Sequence, residues 1–290
     1  MNDSDLAKRL RKLSVPLHPI ATGKEARLEK IPDIRCVLFD VYGTLVVSGS
    51  GDVGTAGVAD QQDALEESMS ACGLAPPGDP MPQADRITQM IKERHAKAKA
   101  KGLDYPEVEI MEIWEALLLE AGRAPVPRET VKELAIEYES RINPVWPMPG
   151  LEEVLTVLHA RNILMGIVSN AQFYTPLLFP ALTERTYMEW GFKEELCVWS
   201  YKHGEGKPSK NLFRVALTVL DEWGVQPDQV LYVGNDMRND IWPASALGCR
   251  TALFAGDKRS LRLREEDPDV KAVEPSLLLT ELAQLLECLA

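Results

Sequence analysis

The chain is poor in the residues that hold transition metals. Its four histidines (His18, His95, His159 and His203) stand at no ligand spacing, and its five cysteines (Cys36, Cys72, Cys197, Cys249 and Cys288) include no C-x-x-C pair. A zinc site and a disulfide framework are both excluded by that scatter. Cys36 and Cys197 fall inside apolar, strand-like runs, as buried free thiols do in a reducing cytoplasm. Basic charge is scarce too: 32 Lys and Arg against 44 Asp and Glu leave a net charge of -12. A general nucleic-acid binder needs a basic face, so that class is set aside. No apolar run approaches the roughly 18 residues that span a bilayer. The start of the chain, with Asp3, Asp5, Lys8, Arg9, Arg11 and Lys12, lacks the apolar core of a signal peptide. What remains is an ordinary globular composition over 290 residues, enough for one large core or two moderate ones.

One stretch organises the rest. Cys36 to Val47 reads C-V-L-F-D-V-Y-G-T-L-V-V. The short apolar run Val37-Leu38-Phe39 has the look of a strand buried on both faces. It ends in Asp40, with Gly43-Thr44 just beyond. Ligands of open α/β sheets bind outside the carboxyl ends of the strands, so a carboxylate there is placed for chemistry. Gly43 allows the backbone to turn tightly after it.

Around this strand the chain divides into parts. Residues 1–30 read as an amphipathic start and a Pro-interrupted extension, expected to pack on the core. Residues 31–58 and 145–290 read as an α/β unit. Residues 59–144 read as helical throughout, with an i, i+3, i+4, i+7, i+8 stripe at Ile110, Ile113, Trp114, Leu117 and Leu118. Strand signals resume only afterwards, so the helical part is expected to be an insert, moving as a lid on its two joints. The first joint, Ser48 to Gly54, matches G-x-G-x-x-G, but the strand has ended too early and Asp52 would face a pyrophosphate. It reads as a flexible hinge. The second joint is the proline-rich 143–150.

Beyond it, strands are expected at Ile163–Val168, Cys197–Ser200, Val230–Val233 and Thr251–Phe254. Helices are expected at Pro208–Trp223 and Ile241–Leu247, with a closing one from about Ser276. Alternation of this kind means βαβ units and a doubly wound, Rossmann-like parallel sheet.

Polar residues collect at four successive strand ends. They are Asp40 with Thr44, Ser169 with Asn170, Lys207 before Pro208, and Asn235, Asp236, Asn239 and Asp240 in G-N-D-M-R-N-D. Singly, each has a plain structural explanation as a helix cap or a solvated charge. Together they fit transfer of a phosphoryl or acyl group through an aspartyl intermediate. Lys207 offsets the nucleophile's charge, Ser169 holds the transferring oxygens, and the carboxylate cluster calls for a hard divalent ion such as Mg²⁺.

D-V-Y-G-T, the Ser169 strand end, Lys207-Pro208 and the acidic loop resemble the four ordered motifs of the haloacid dehalogenase-like hydrolase superfamily. The resemblance covers about Ile34–Val273, and the helical insert is similar to a cap placed after the first motif. It implies Asp40 as nucleophile, with Ser169 and Asn170 on the transferred or leaving group. Thr44 joins them at the substrate and Lys207 neutralises. Asp40, Asp236 or Asp240, and the backbone carbonyl of Val41 would hold Mg²⁺. The expected partner is a small-molecule substrate, with no nucleic acid and no membrane, and the protein is expected to be a monomer or homodimer of the cytoplasm. One position departs from the pattern. Phosphatases of the superfamily usually carry an acid two residues after the nucleophile, where this chain has Tyr42. That form is similar to metal-free 2-haloacid dehalogenases, whereas the acidic loop is similar to metal-dependent phosphatases. A weakly active binding or regulatory protein is a third outcome.

Overall fold

The apolar run at Cys36 forms β1 (Cys36–Phe39), buried along its whole length. The computed structural model describes residues 3–50, 58–75, 81–123 and 125–289. The later strands are β2 (Val46–Ser48), β3 (Val145–Pro147), β4 (Leu164–Ser169) and β5 (Phe192–Trp199). After them come β6 (Val230–Gly234), β7 (Arg250–Phe254) and β8 (Leu277–Leu279). Six of these make one parallel sheet in the order β5-β4-β1-β6-β7-β8. β1 lies inside it, with Phe39 opposite Ile167 on one side and Val233 on the other. Val37 and Phe39 enter the core on one face, and Cys36 and Leu38 enter it on the other beside Phe213 and Tyr232. Burial on both faces is why the run is apolar without alternation.

The helices are α1 (Asp3–Leu13), α2 (Val58–Ala71), α3 (Ala84–Lys99), α4 (Ile110–Glu120), α5 (Arg128–Ile142) and α6 (Leu151–Ala160). They continue as α7 (Leu178–Thr183), α8 (Ser200–His203), α9 (Lys210–Glu222), α10 (Trp242–Ser245) and α11 (Leu285–Cys288). Between β2 and β3, α2 to α5 enclose a core of their own around Leu65, Met69, Trp114, Leu117, Val131 and Leu134. The stripe at Ile113, Trp114, Leu117 and Leu118 is the buried face of α4.

Four features differ from the sequence expectation or add to it. The joints of the insert form an antiparallel ribbon, with Val46 opposite Pro147 and Ser48 opposite Val145. Gly49 N–H donates to the Pro144 carbonyl at 2.8 Å, and the Ser48 hydroxyl donates to Asn143 Oδ1 at 2.7 Å. Where a hinge was expected, residues 48–50 are thus tied to the second joint; the rest of that glycine-rich loop lies outside the described residues. The segment after Ser276 opens as strand β8 (Leu277–Leu279), and the closing helix comes only at α11 (Leu285–Cys288). The β8 backbone pairs with β7 on one side, and on the other Arg27 and Leu278 exchange hydrogen bonds at 2.9 and 3.1 Å. An open sheet edge offering that many partners overrides a leucine-rich helical preference. The Cys197 strand begins five residues earlier than expected, at Phe192, and α9 starts only at Lys210. There Ser209 is the cap, its hydroxyl accepting from Asn211 N–H at 3.1 Å. Finally, α1 packs against both α5 of the insert and α7 of the α/β unit, burying Leu6, Ala7 and Leu10. Arg9 donates to Glu133 and Glu137 of α5, each at 2.6 Å.

Candidate active site

β1 stops one residue short of Asp40, whose N–H still donates to the Val233 carbonyl at 2.9 Å. The carboxylate therefore stands at the C-terminal edge of the sheet, flanked by the ends of β4 and β6. A tight turn follows. The Val41 carbonyl accepts from Leu45 N–H at 2.9 Å, Val46 N–H at 3.0 Å and Thr44 N–H at 3.2 Å. Gly43 sits at φ +76, and a Cβ there would meet Ser260 Cβ at 2.4 Å. Only glycine suits both the backbone and the space.

The turn corrects two expectations. The Val41 carbonyl is spent on three backbone donors inside the turn, so it is not offered to an ion. Thr44 is wholly buried and its hydroxyl donates to Asn235 Oδ1 at 3.0 Å. It braces the first motif against the last and does not face a substrate.

Lys207 joins the two ends of the site. Its ammonium lies 2.7 Å from Asp40 Oδ1 and 2.5 Å from Asp240 Oδ1, and donates to the Tyr232 hydroxyl at 3.2 Å. Ser169 Oγ donates to Asp40 Oδ1 at 2.8 Å. Burial by itself would lower the Lys207 pKa, but Asp240 and Asp40 outweigh it and push it up to about 12. Lys207 is thus a permanent cation. Asp240 is pushed upward, first by burial and then by Asp40 and Asp236, with Lys207 opposing. Both oxygens of Asp240 are engaged, one by Lys207 and the other by Asp236 N–H at 2.9 Å.

Asp236 is held differently. Its Oδ1 caps the following turn, accepting from Arg238 N–H at 2.8 Å and Asn239 N–H at 3.2 Å. Its Oδ2 accepts from Arg264 at 2.7 Å. Among the described residues no group of three or more His, Cys, Asp or Glu side chains converges to hold a metal ion. Even so, Asp40, Asn235, Asp236 and Asn239 line one small cavity of about 50 Å³, a set of oxygen donors that suits a hard ion. Asp236 and Asp240 both have each oxygen engaged, so a bound ion would have to displace a present partner, Arg264 from Asp236 or Lys207 from Asp240.

Tyr42 stands beside this cavity. Its hydroxyl is 3.0 Å from Thr175 Oγ1. Burial, then Glu139 and Asp40, hold the phenol far above its ordinary pKa, with the Thr175 hydrogen bond opposing. The phenol holds its proton at neutral pH and is a poor acid. Tyr42 and Asn170 are shared between the small cavity and a larger one of about 290 Å³, whose far wall is formed by Ile87, Trp114 and Tyr138 of the insert. Asn170 also accepts Lys207 N–H at 2.6 Å. Among the aromatic residues that follow β4, Tyr174 lines the large cavity, whereas Phe179 packs edge-on against Tyr187 and Phe192.

Sequence reasoning missed Tyr232, Arg262 and Arg264. Tyr232 does carry a signal: a tyrosine in a fully buried strand must find a partner for its hydroxyl. It finds the Val168 carbonyl at 2.8 Å and Asp240 at 3.1 Å. Arg262 lines the small cavity from a loop with no motif to mark it.

Gly234 sets how closely Asp240 approaches the sheet. A Cβ there would lie 2.4 Å from the Asp240 carboxyl carbon. Gly234→Ala is expected to destabilise by about 1–3 kcal/mol through overpacking. By shifting Asp240 off Lys207 it should also lower turnover, read by thermal melting alongside steady-state rates.

The comparisons agree with this architecture. A family model described as haloacid dehalogenase-like hydrolase matches residues 34–248. The phosphoglycolate phosphatase of Salmonella paratyphi A is 24% identical over 84% of this chain and 90% of its own length. Among solved structures, a 2-haloacid dehalogenase from Pseudomonas syringae pv. Tomato superposes with a TM-score of 0.53 at 18% identity, covering 88% of this chain and 97% of its own. A HAD phosphatase from Thermococcus onnurineus gives 0.51 at 14% identity, covering 88% and 97%. At such identities the two structures share the fold alone. The family match spans most of the length, and this chain is a hydrolase of the haloacid dehalogenase-like family.

Proposed function

We propose that the chain is a Mg²⁺-dependent phosphatase acting on a small phosphate ester or acyl phosphate, with Asp40 as nucleophile. The observation that carries this reading is the small polar cavity at Asp40, lined by Lys207, Asn235, Asp236, Asn239 and Arg262. Its size and polar lining suit a phosphoryl group. A carboxylate oxygen of Asp40 attacks phosphorus while the bond to the leaving oxygen breaks, that oxygen keeping the electron pair. Water then attacks the phosphoryl group, its proton passing through solvent to the departed oxyanion, and the P–O bond to Asp40 breaks to release phosphate and restore the carboxylate. Lys207, paired with Asp40, offsets its charge and lessens its repulsion of the anionic substrate. Ser169 orients the carboxylate through its hydrogen bond. Asp40 with Asp236 or Asp240 would hold Mg²⁺, which when bound would supply charge to the transferring oxygens. The insert, residues 59–144, serves as the cap and shields the intermediate from stray water.

Tyr42 restricts the substrate. With no acid to protonate the leaving oxygen, groups that are already acidic should leave fastest. Aryl and acyl phosphates are therefore expected to turn over faster than alkyl phosphates.

The test is phosphate release from an aryl phosphate with and without Mg²⁺, run beside halide release from a 2-chloro acid. Phosphate release that a chelator abolishes and Mg²⁺ restores is expected. Metal-independent halide release without phosphate release would give the function to a dehalogenase.

A further inference from the structure

The large cavity faces the small one across Tyr42 and Asn170, so it is where the leaving group of a phosphate ester bound at Asp40 would lie. Its walls are mostly apolar: Ile87, Ile91, Trp114 and Tyr138 from the insert. The ionisable side chains in it besides the tyrosines are both acids, Glu107 and Glu139, and burial pushes the pKa of each upward. Glu139 accepts from Asn143 Nδ2 at 3.2 Å, and Glu107 accepts from Ser200 Oγ at 3.0 Å and from Val108 N–H at 2.9 Å. Among the described residues lining the cavity there is no Lys, Arg or His. Residues 51–60 and 76–80 contribute none either, since their sequences, GDVGTAGVAD and PPGDP, hold no basic residue.

We infer that the leaving group carries no negative charge and has a mainly apolar body, the site selecting against phosphate esters of hydroxy acids. This rests on the phosphatase reading. The physical reason is that a carboxylate entering the cavity gives up water and meets two acids with no cation to receive it. An apolar body gains instead from contact with Trp114 and Tyr138. A cavity of about 150 Å³ holds a benzene ring. At about 290 Å³ this one has room for a ring and a substituent. The inference separates this chain from its phosphoglycolate phosphatase relative, whose named substrate is a carboxylate.

Three aryl esters of similar leaving-group acidity test it: phenyl phosphate, 3-(hydroxymethyl)phenyl phosphate and 3-carboxyphenyl phosphate. The carboxylated ester is expected to have a kcat/KM about tenfold or more below the other two, the size of effect that one unpaired buried charge produces. Glu139→Gln should narrow that gap. Should Glu139→Gln fail to fold, Thr88→Lys places a cation at an exposed position on the cavity wall and should narrow it too. Equal rates for all three esters, or a gap that a folded variant leaves unchanged, would overturn the inference. If no ester is cleaved, the phosphatase reading falls by itself. Calorimetry with benzyl alcohol and benzoate then reads the cavity directly: preference for the alcohol sustains the charge selection, and equal or tighter binding of benzoate refutes it.

Discussion

Asp40→Asn is expected to lower turnover by about 10³-fold or more while leaving the fold in place, because the amide is a far weaker nucleophile than the carboxylate. The substitution keeps the shape of the side chain. Ser169 and Lys207 can still donate to the amide oxygen, which replaces Asp40 Oδ1. Melting temperature should change little, and the covalent species trapped by rapid acid quench with a labelled phosphate ester should vanish. A variant that keeps more than about a tenth of the wild-type rate would remove Asp40 from the chemistry.

Lys207→Met is the second substitution with a large expected effect, and it should strike stability and activity together. The ammonium is nearly sealed from solvent and lies between two buried carboxylates. Removing it leaves Asp40 and Asp240 facing each other without a counter-charge. Breaking a buried pair from one side costs about 3–5 kcal/mol. The sign of the pH dependence follows. In the variant, Asp240 is raised by burial and by Asp40 with nothing to oppose the shift, so it binds a proton more tightly folded than unfolded. The variant should therefore lose stability as pH rises through that raised value, and recover part of it in mild acid. Chemical denaturation across pH 5–8 checks this; a variant as stable as wild type at the upper end would place the charge balance elsewhere.

Much of this site was written in local patterns. A short apolar run ended by a polar residue marks a strand and its exposed end within six or seven positions, so the sequence alone puts Asp40, Ser169 and the Asn235–Asp240 loop at one edge. The periodicity at Ile110 to Leu118 marked the insert in the same way. Other features depended on partners distant in the chain. Leu277–Leu279 is a strand because β7 and Arg27 offer it hydrogen bonds, and nothing inside the triplet says so. Val41 and Thr44 carry the right residue types for the roles first given to them, but the direction of a carbonyl or hydroxyl is set by which donors surround it.

The amino-acid order by itself determined the doubly wound sheet, the helical insert and the set of side chains at the strand ends, since apolar periodicity and chain alternation are local quantities. Only the tertiary structure decided how those side chains share their charges. Lys207 is bound to both Asp40 and Asp240, Arg264 holds Asp236, and a cavity with no cation among its described lining residues opens beside Tyr42. The reason is physical: charge compensation and cavity lining depend on distance and burial between residues far apart in sequence, and in a low-dielectric interior those distances fix which carboxylate is free to act.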